Sequence, residues 1–389
     1  MSSPISKKEI LQLAQELVQS PSVNPPGETR ECAEIVSNKL KKDKIDVQII
    51  EGKKGASNVV ARLQGKRSGK VLLLNGHLDV VPPGADWTGD PFSGEIRDNK
   101  IYGRGTCDMK SGIASMIAAM IGFKRSGIPF NGEILFMGVA DEETGSEFGT
   151  VYLLQNNIGS NADFAIVGEP TSMRVELGNR GLRWIDVTFR GRSCHAGRPQ
   201  LGINPIVYAA KFIEAIQSMK FGNRNDAFEI SSPTIAVTMV KGGSKINVIP
   251  ERCDLSIDRR MLPGEKTETV MDELQRMLDP ILEEEKGPHA EMKVRPAHWD
   301  PYLISRDEQV AQATIKSFKR VTGREPEILA KSACTDGSHL FHLRGIPAVI
   351  FGPGNEYLSH KADECVEIED IVLATHIYIS IFNELLGLS

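Results

Sequence analysis

The chain lacks any apolar run longer than a strand, so no segment can span a bilayer. It also lacks a C-x-x-C pair. Its six cysteines, Cys32, Cys107, Cys194, Cys253, Cys334 and Cys365, are scattered, which indicates neither a thiolate zinc knuckle nor a disulfide framework. Reduced thiols in a cytosolic protein are the simplest reading. A basic block and an acidic tail are missing too. A net charge of −5, with both signs interspersed, argues against a nucleic-acid partner. No internal repeat or low-complexity segment is visible. The opening segment, "MSSPISKKEILQLAQELVQS", is no secretory leader: Ile10, Leu13, Ala14 and Leu17 sit at helical spacing among charged neighbours. A cytoplasmic location is expected.

What is present is ordinary for a globular chain: 389 residues, 40% hydrophobic and 25% charged, enough for two domains or one large one. Over 1–181 the pattern alternates. Helices are predicted near 7–19, 28–42 and 109–126, with strands "IDVQII", "SNVVARL", "VLLLNG", "GEILFMGVA" and "DFAIVG" around them. Short apolar runs between helices predict an α/β layer with a mainly parallel sheet. Over 182–295 the texture changes. The strands "RWIDVTFRG", "PTIAVTMVKGG", "RCDLSIDRR" and "HAEMKVR", with helices at 204–219 and 267–284, give the order β-α-β-β-α-β of a ferredoxin-like unit. That unit reads as an insert, because the helix-then-buried-strand texture returns over 296–389, with "IPAVIFGPG" and a final helix from about 368.

The chemistry-bearing residues gather where strands end. His77 and Asp79 follow "VLLLNG"; residues two apart on an extended chain share a face, so the carboxylate is placed to hold the imidazole. Such a carboxylate commonly backs a metal-bound histidine, although a strand-end histidine with an ordinary hydrogen bond has the same spacing. Asp108 sits in "YGRGTCDMKSG" just before a helix, Glu142 and Glu143 follow "GEILFMGVA", Glu169 follows "DFAIVG", and His360 lies a few residues past "AVIFGPG". Ligands of open α/β sheets bind outside the carboxyl ends of the strands. Two histidines and several carboxylates are the donors zinc takes without thiolates, and a bridging carboxylate can hold two ions together. Of two adjacent carboxylates, one can bind metal while the other takes a proton.

Competing readings are weaker. "GRGTCDMKSG" is not a P-loop, because Lys110 follows Met109 rather than a glycine. Cys107 beside Asp108 and Cys194 beside His195 are sequence neighbours, which does not make a nucleophilic dyad. His289, His298, His339, His342 and His376 read as ordinary surface or core histidines.

"GHLDVVP", "GRGTCDMKSG", "DEETGS", "VGEPTS", "SCHAGRP", "GGSKINVIPE", "DRRMLPGE" and "SHKADE" occur in this order along nearly the whole chain. The ensemble resembles the family of acetylornithine deacetylases and succinyl-diaminopimelate desuccinylases, with their aminoacylase, dipeptidase and glutamate carboxypeptidase relatives. The resemblance implies a zinc-hydrolase catalytic domain, 1–181 with 296–389, and an inserted lid and dimerisation domain, 182–295. It implies two divalent ions, zinc with cobalt or manganese as alternatives. His77 and Glu169 would hold one ion, Glu143 and His360 the other, and Asp108 would bridge them through a segment whose Asp108–Met109 peptide is cis. Glu142 would be the general base and Asp79 the carboxylate orienting His77. From the insert, His195 would reach a neighbouring subunit's site and steady the oxyanion, Arg260 would grip a substrate carboxylate, and Asn247 would add a contact; Thr335, in "KSACTDGSH", would line the pocket. The implied reaction is hydrolysis of a small N-acyl amino acid, releasing acetate or succinate. Cleavage of a dipeptide or a C-terminal residue is the alternative. A non-catalytic metal-binding protein is disfavoured, because neither a ligand nor the base is missing.

Overall fold

Continuous apolar strands, rather than alternating ones, form the centre of the computed structural model, which describes residues 4–283 and 287–388. Val71–His77 and Glu133–Val139 are buried at every position, the mark of strands covered on both faces. The chain divides into two units, Met1–Asn179 with Leu303–Ser389, and Arg180–Tyr302.

In the first unit the main sheet runs in the order Asp46–Lys53, Ala56–Gln64, Glu133–Val139, Val71–His77, Phe164–Val167, Ala348–Ile350 and Val175–Asn179, with Ile328–Lys331 beside the last. The central four are mutually parallel, so their carboxyl ends lie along one edge. In register, His77 lies opposite Val139 and Asn75 opposite Val167. The turns that follow are thereby brought together.

Local signals agree with the helices. Lys7–Val18 opens on a reciprocal cap in which the Ser6 hydroxyl accepts from the Glu9 N–H and the Glu9 carboxylate accepts from the Ser6 N–H. Ser111–Ser126 is buried over most of its length and packs on Ile368–Leu386. It begins at Ser111 rather than near 109, because Asp108 and Met109 hold non-helical dihedrals across a cis peptide. Gly112 is required where this helix starts: a Cβ there would lie 2.0 Å from the Gly168 carbonyl oxygen. That close approach sets the Asp108 turn against the Glu169 turn. A small sheet without a readable sequence period, Glu95–Arg97, Lys100–Tyr102 and Cys365–Glu367, joins the stretch before Asp108 to the stretch after His360.

The second unit has the order β-α-β-β-α-β: Gly181–Arg190, Pro205–Gln217, Thr234–Gly242, Arg252–Met261, Thr267–Leu282 and His289–Trp299. Its strands pair antiparallel, with Thr234–Gly242 and His289–Trp299 at the edges. The helices cover one face through Phe212, Ile216, Val270, Leu274 and Leu278, packed on Ile185, Val187, Phe189, Leu255 and Ile257. The sequence reading ends the insert at 295, but the closing strand runs on to Trp299. Residue 284, where the second helix is expected to end, lies outside the described residues.

Candidate metal centre

The four parallel strands lead into His77, Glu143, Glu169 and His360, and the turn before Ser111–Ser126 adds Asp108. His77 is the last residue of its strand, and its Nε2 lies 2.9 Å from Asp108 Oδ1 and 3.4 Å from Glu169 Oε1. The other oxygen of Asp108, Oδ2, lies 3.2 Å from His360 Nε2, which is 3.3 Å from Glu143 Oε2. The side chains form a continuous series, Glu169–His77–Asp108–His360–Glu143, with Asp108 at its centre and one oxygen toward each histidine. Donor atoms of His77, Asp108 and Glu143 lie within 4.8 Å of one another, as do those of His77, Glu142 and Glu169.

The turns are held in unusual backbone. Asp141, at φ 69°, turns the chain so that Glu142 and Glu143 follow the strand directly. Its carboxylate accepts from the Thr144 hydroxyl at 2.5 Å and the Phe148 N–H at 3.2 Å, which offsets the cost of a non-glycine left-handed residue. His360 is left-handed too, at φ 64°.

Asp79 differs from the sequence reading. The bond that orients His77 comes from the Asp79 main-chain carbonyl, 2.8 Å from Nδ1, whereas the carboxylate stands 3.7 Å away. The reason is local: the strand ends at His77, so the two-residue same-face rule no longer governs position 79. The carboxylate, fully buried, accepts instead from Asn24 Nδ2 at 2.8 Å and from the N–H groups of Glu142 and Glu143, each at 3.2 Å. Asp79 therefore orients the ring through its backbone and the Glu142–Glu143 turn through its side chain.

Sequence reasoning missed Asn24, which lies in a Pro-rich loop without a chemical motif. Asp336, next to Thr335 in "KSACTDGSH", was given no role of its own. The Asp336 carboxylate accepts from the Ser146 and Thr150 hydroxyls and anchors the loop that carries Glu142. Thr335 itself is buried. Its hydroxyl donates to Asn179 Oδ1 at 2.9 Å and accepts from the Gly337 N–H at 3.1 Å, so it is engaged within the protein rather than offered to a ligand.

Electrostatics follow from burial and pairing. At His77, burial disfavours charge, but hydrogen bonds to Asp108 and Glu169 outweigh it and hold the pKa well above the ordinary value. Bonds to Asp108 and Glu143 push His360 up to about 10. Burial acts to raise Asp108, yet the bonds from His360 and His77 hold it far below the usual carboxylate range. Glu142 has no side-chain hydrogen bond among the described residues. Burial drives it well above the ordinary value; His77 opposes this, and Glu169, Asp336 and Glu143 add to it. Burial, against a bond to His360, carries Glu143 to about 7.

These donors fit divalent cations. Imidazole nitrogens and carboxylate oxygens converge without thiolate, and the buried Glu143 Oε1 has no hydrogen-bond partner among the described residues. The bond from His77 Nδ1 to the Asp79 carbonyl fixes the tautomer that leaves Nε2 toward the cluster.

His195, Asn247 and Arg260 belong to the second unit. His195 pairs with Val248 in a two-strand ribbon, and the Ala196 N–H donates to the Asn247 carbonyl at 3.0 Å, so the first two share one exposed element. Arg260 directs its fork onto Asp258, with Nε at 2.8 Å from Oδ1 and Nη2 at 3.2 Å from Oδ2.

A doubly wound sheet with carboxylates and histidines at its strand ends, joined to a ferredoxin-like insert, defines a metallohydrolase. Residues 73–384 match the model of peptidase family M20/M25/M40, and the chain belongs to that family. A succinyl-diaminopimelate desuccinylase from Dechloromonas aromatica is 30% identical over 386 residues, 97% of this chain and 98% of that protein. Among solved structures, a metallo-carboxypeptidase of the M20 family, Sso-CP2 from Sulfolobus solfataricus, superposes with TM-score 0.82 at 22% identity, covering 97% of this chain and 99% of that one. A tripeptidase from Staphylococcus aureus gives TM-score 0.79 at 25% identity, over 97% and 98% of the two chains. The chain is thus a metal-dependent hydrolase of amide bonds, and its substrate is an acylated amino acid or a peptide. No helix among the described residues is long and apolar enough to cross a membrane.

Proposed function

We propose that this chain is a cytoplasmic, zinc-loaded homodimer that removes an N-acyl group from an amino acid, with N-succinyl-diaminopimelate as the first substrate to try. One observation supports the hydrolytic centre: Asp108 presents one oxygen to each of two histidines, an arrangement that would suit a carboxylate shared between two ions. The choice of an acylated amino acid rests on relatives that bear the desuccinylase name over their whole length.

His77 with Glu169, and His360 with Glu143, would hold the two ions across Asp108; cobalt or manganese would suit the same donors. The ions would supply Lewis acidity toward the amide carbonyl. Glu142 accepts the proton of the attacking water and returns it to the leaving amine nitrogen. Burial raises its proton affinity, which favours taking up and holding the proton until the amine leaves. Asp79, Asn24 and Asp336 keep its turn in place. His195 donates to the oxyanion, a contact typically worth about 3–4 kcal/mol, and Asn247 on the same ribbon adds a polar contact. Arg260 grips a substrate carboxylate with the fork that here holds Asp258.

Dimerisation is proposed through the second unit's exposed edge strand, Thr234–Gly242, where Met239 and Val240 are 65% and 63% exposed. An apolar open edge invites pairing with a second copy. Val240→Lys should convert a dimer to a monomer by analytical ultracentrifugation and remove most turnover, since His195 would act on the partner's site. A wild type that sediments as a monomer would overturn this assignment.

The reaction is tested by amine release, read by mass spectrometry, from zinc- or cobalt-loaded protein. The panel holds N-succinyl-diaminopimelate, N-acetylornithine, other N-acyl amino acids and dipeptides, each with and without chelator. Chelator-sensitive turnover of one acylated amino acid is expected. Turnover of dipeptides alone would move the chain to the peptidase branch.

A further inference from the structure

Two stretches far apart in sequence, Arg104–Asp108 and His360–Glu364, meet in a buried ion pair outside the ligand set. Glu364 is 0% exposed and Arg104 1%. One Glu364 oxygen is paired with Arg104 Nη1. The other accepts from two consecutive main-chain N–H groups, Cys107 at 2.7 Å and Asp108 at 3.2 Å. The Glu364 carbonyl accepts from the Gly103 N–H at 2.9 Å. Arg104 is fixed in turn: its Nη2 donates to the Pro83 carbonyl at 3.1 Å, and its guanidinium lies 5.3 Å from the centre of the Trp87 ring. Just beyond, Cys365 pairs with Tyr102, and Cys107 Sγ donates to the Cys365 carbonyl at 3.0 Å.

Stability alone is a poor reason for such a pair, because well-packed apolar residues often serve as well as a buried ion pair. An apolar residue, however, cannot accept two main-chain N–H groups. Those groups belong to Asp108 and to the residue before it, and Glu364 lies on the short loop that begins with His360. The same side chain therefore ties the main chain of the central carboxylate to the segment bearing the histidine that faces its Oδ2. We propose that Glu364, locked by Arg104, is a positioning residue that sets the spacing between Asp108 and His360 and so forms the second metal position. This rests on the reading of Asp108 and His360 as ligands given under Proposed function.

The test is a stepwise Zn²⁺ titration of the full chain against a chromophoric chelator, with thermal unfolding of the metal-free protein alongside. Glu364→Asp keeps the charge opposite Arg104 but is one methylene too short to reach the guanidinium and both N–H groups together. Arg104→Lys keeps the charge and loses the fork. His360→Ala marks which step belongs to the His360 side. Both clamp variants should weaken that marked step about 10- to 100-fold, the range typical of groups that orient ligands. The other step should stay within about threefold, and the metal-free unfolding midpoint of Glu364→Asp should fall too little to account for the loss. Two ions in the wild type with both steps unchanged in Glu364→Asp would overturn the clamp alone. Equal weakening of both steps, in proportion to a lower metal-free midpoint, would reduce Glu364 to scaffold and overturn it as well. One ion or none in the wild type would overturn the two-ion reading and the clamp with it.

Discussion

Glu142→Gln should fold, bind both ions and turn over its substrate about 10²–10⁴-fold more slowly, the usual contribution of a positioned general acid–base group. The substitution keeps size and shape and removes only the ability to accept a proton. Folding should survive because that carboxylate anchors no other group by a hydrogen bond among the described residues. Its side chain makes no hydrogen bond among the described residues, and its position is set by the main-chain N–H on Asp79. Neutralising it also removes a carboxyl that burial, with Glu169, Asp336 and Glu143, disfavours as an anion by more than His77 favours it. The metal-free variant should therefore be no less stable than the wild type. Because Glu142 serves both the attacking water and the leaving amine, the loss should fall on kcat, with KM little changed. Steady-state kinetics beside a metal titration decide the matter. Undiminished kcat would remove Glu142 as the base, whereas a loss of bound metal would reassign it as a ligand.

The chain's organisation was legible where burial writes itself into composition. "VLLLNG" and "GEILFMGVA" are apolar at nearly every position because helices cover both faces of the sheet, and strands of that kind end at the functional edge. His77, Glu142, Glu143 and Glu169 could therefore be picked out by position as well as by type. Legibility ended where a contact depends on long-range packing. Asn24, Asp336 and Glu364 bond Asp79, Ser146 and Asp108 across 55, 190 and 256 residues of chain, contacts that no local spacing encodes. Asp79 shows how a sound rule lapses at an element's end. Alternation holds while the backbone stays extended, and the strand stops two positions too soon for it to reach 79. The three-residue strands Glu95–Arg97 and Lys100–Tyr102 are too short to show a period, yet they join the two stretches beside Asp108 and His360.

Binding of the two ions should strengthen steeply with pH. In the metal-free centre the histidines stand between carboxylates and keep their protons, His360 to about pH 10 and His77 well above its ordinary value. Each must be neutral to offer Nε2 to a cation, so loading displaces one proton from each. Lowering pH supplies the competitor, so apparent affinity falls about tenfold per pH unit for each proton displaced. Between pH 8 and 7 two protons leave, and the product of the two binding constants should change about 100-fold. Around pH 7 Glu143, carried to about 7, adds part of a third proton, and the dependence steepens as pH falls further. From pH 8 to 6 the product should therefore fall by a factor of about 10⁴ or more. Calorimetric titration of Zn²⁺ in buffers of different ionisation enthalpy counts the protons directly. Two per pair of ions at pH 7.5, rising toward three at pH 6.5, is the expected result. A count near zero would mean that His77 and His360 are already neutral, and that the pairing with Asp108 does not hold them protonated.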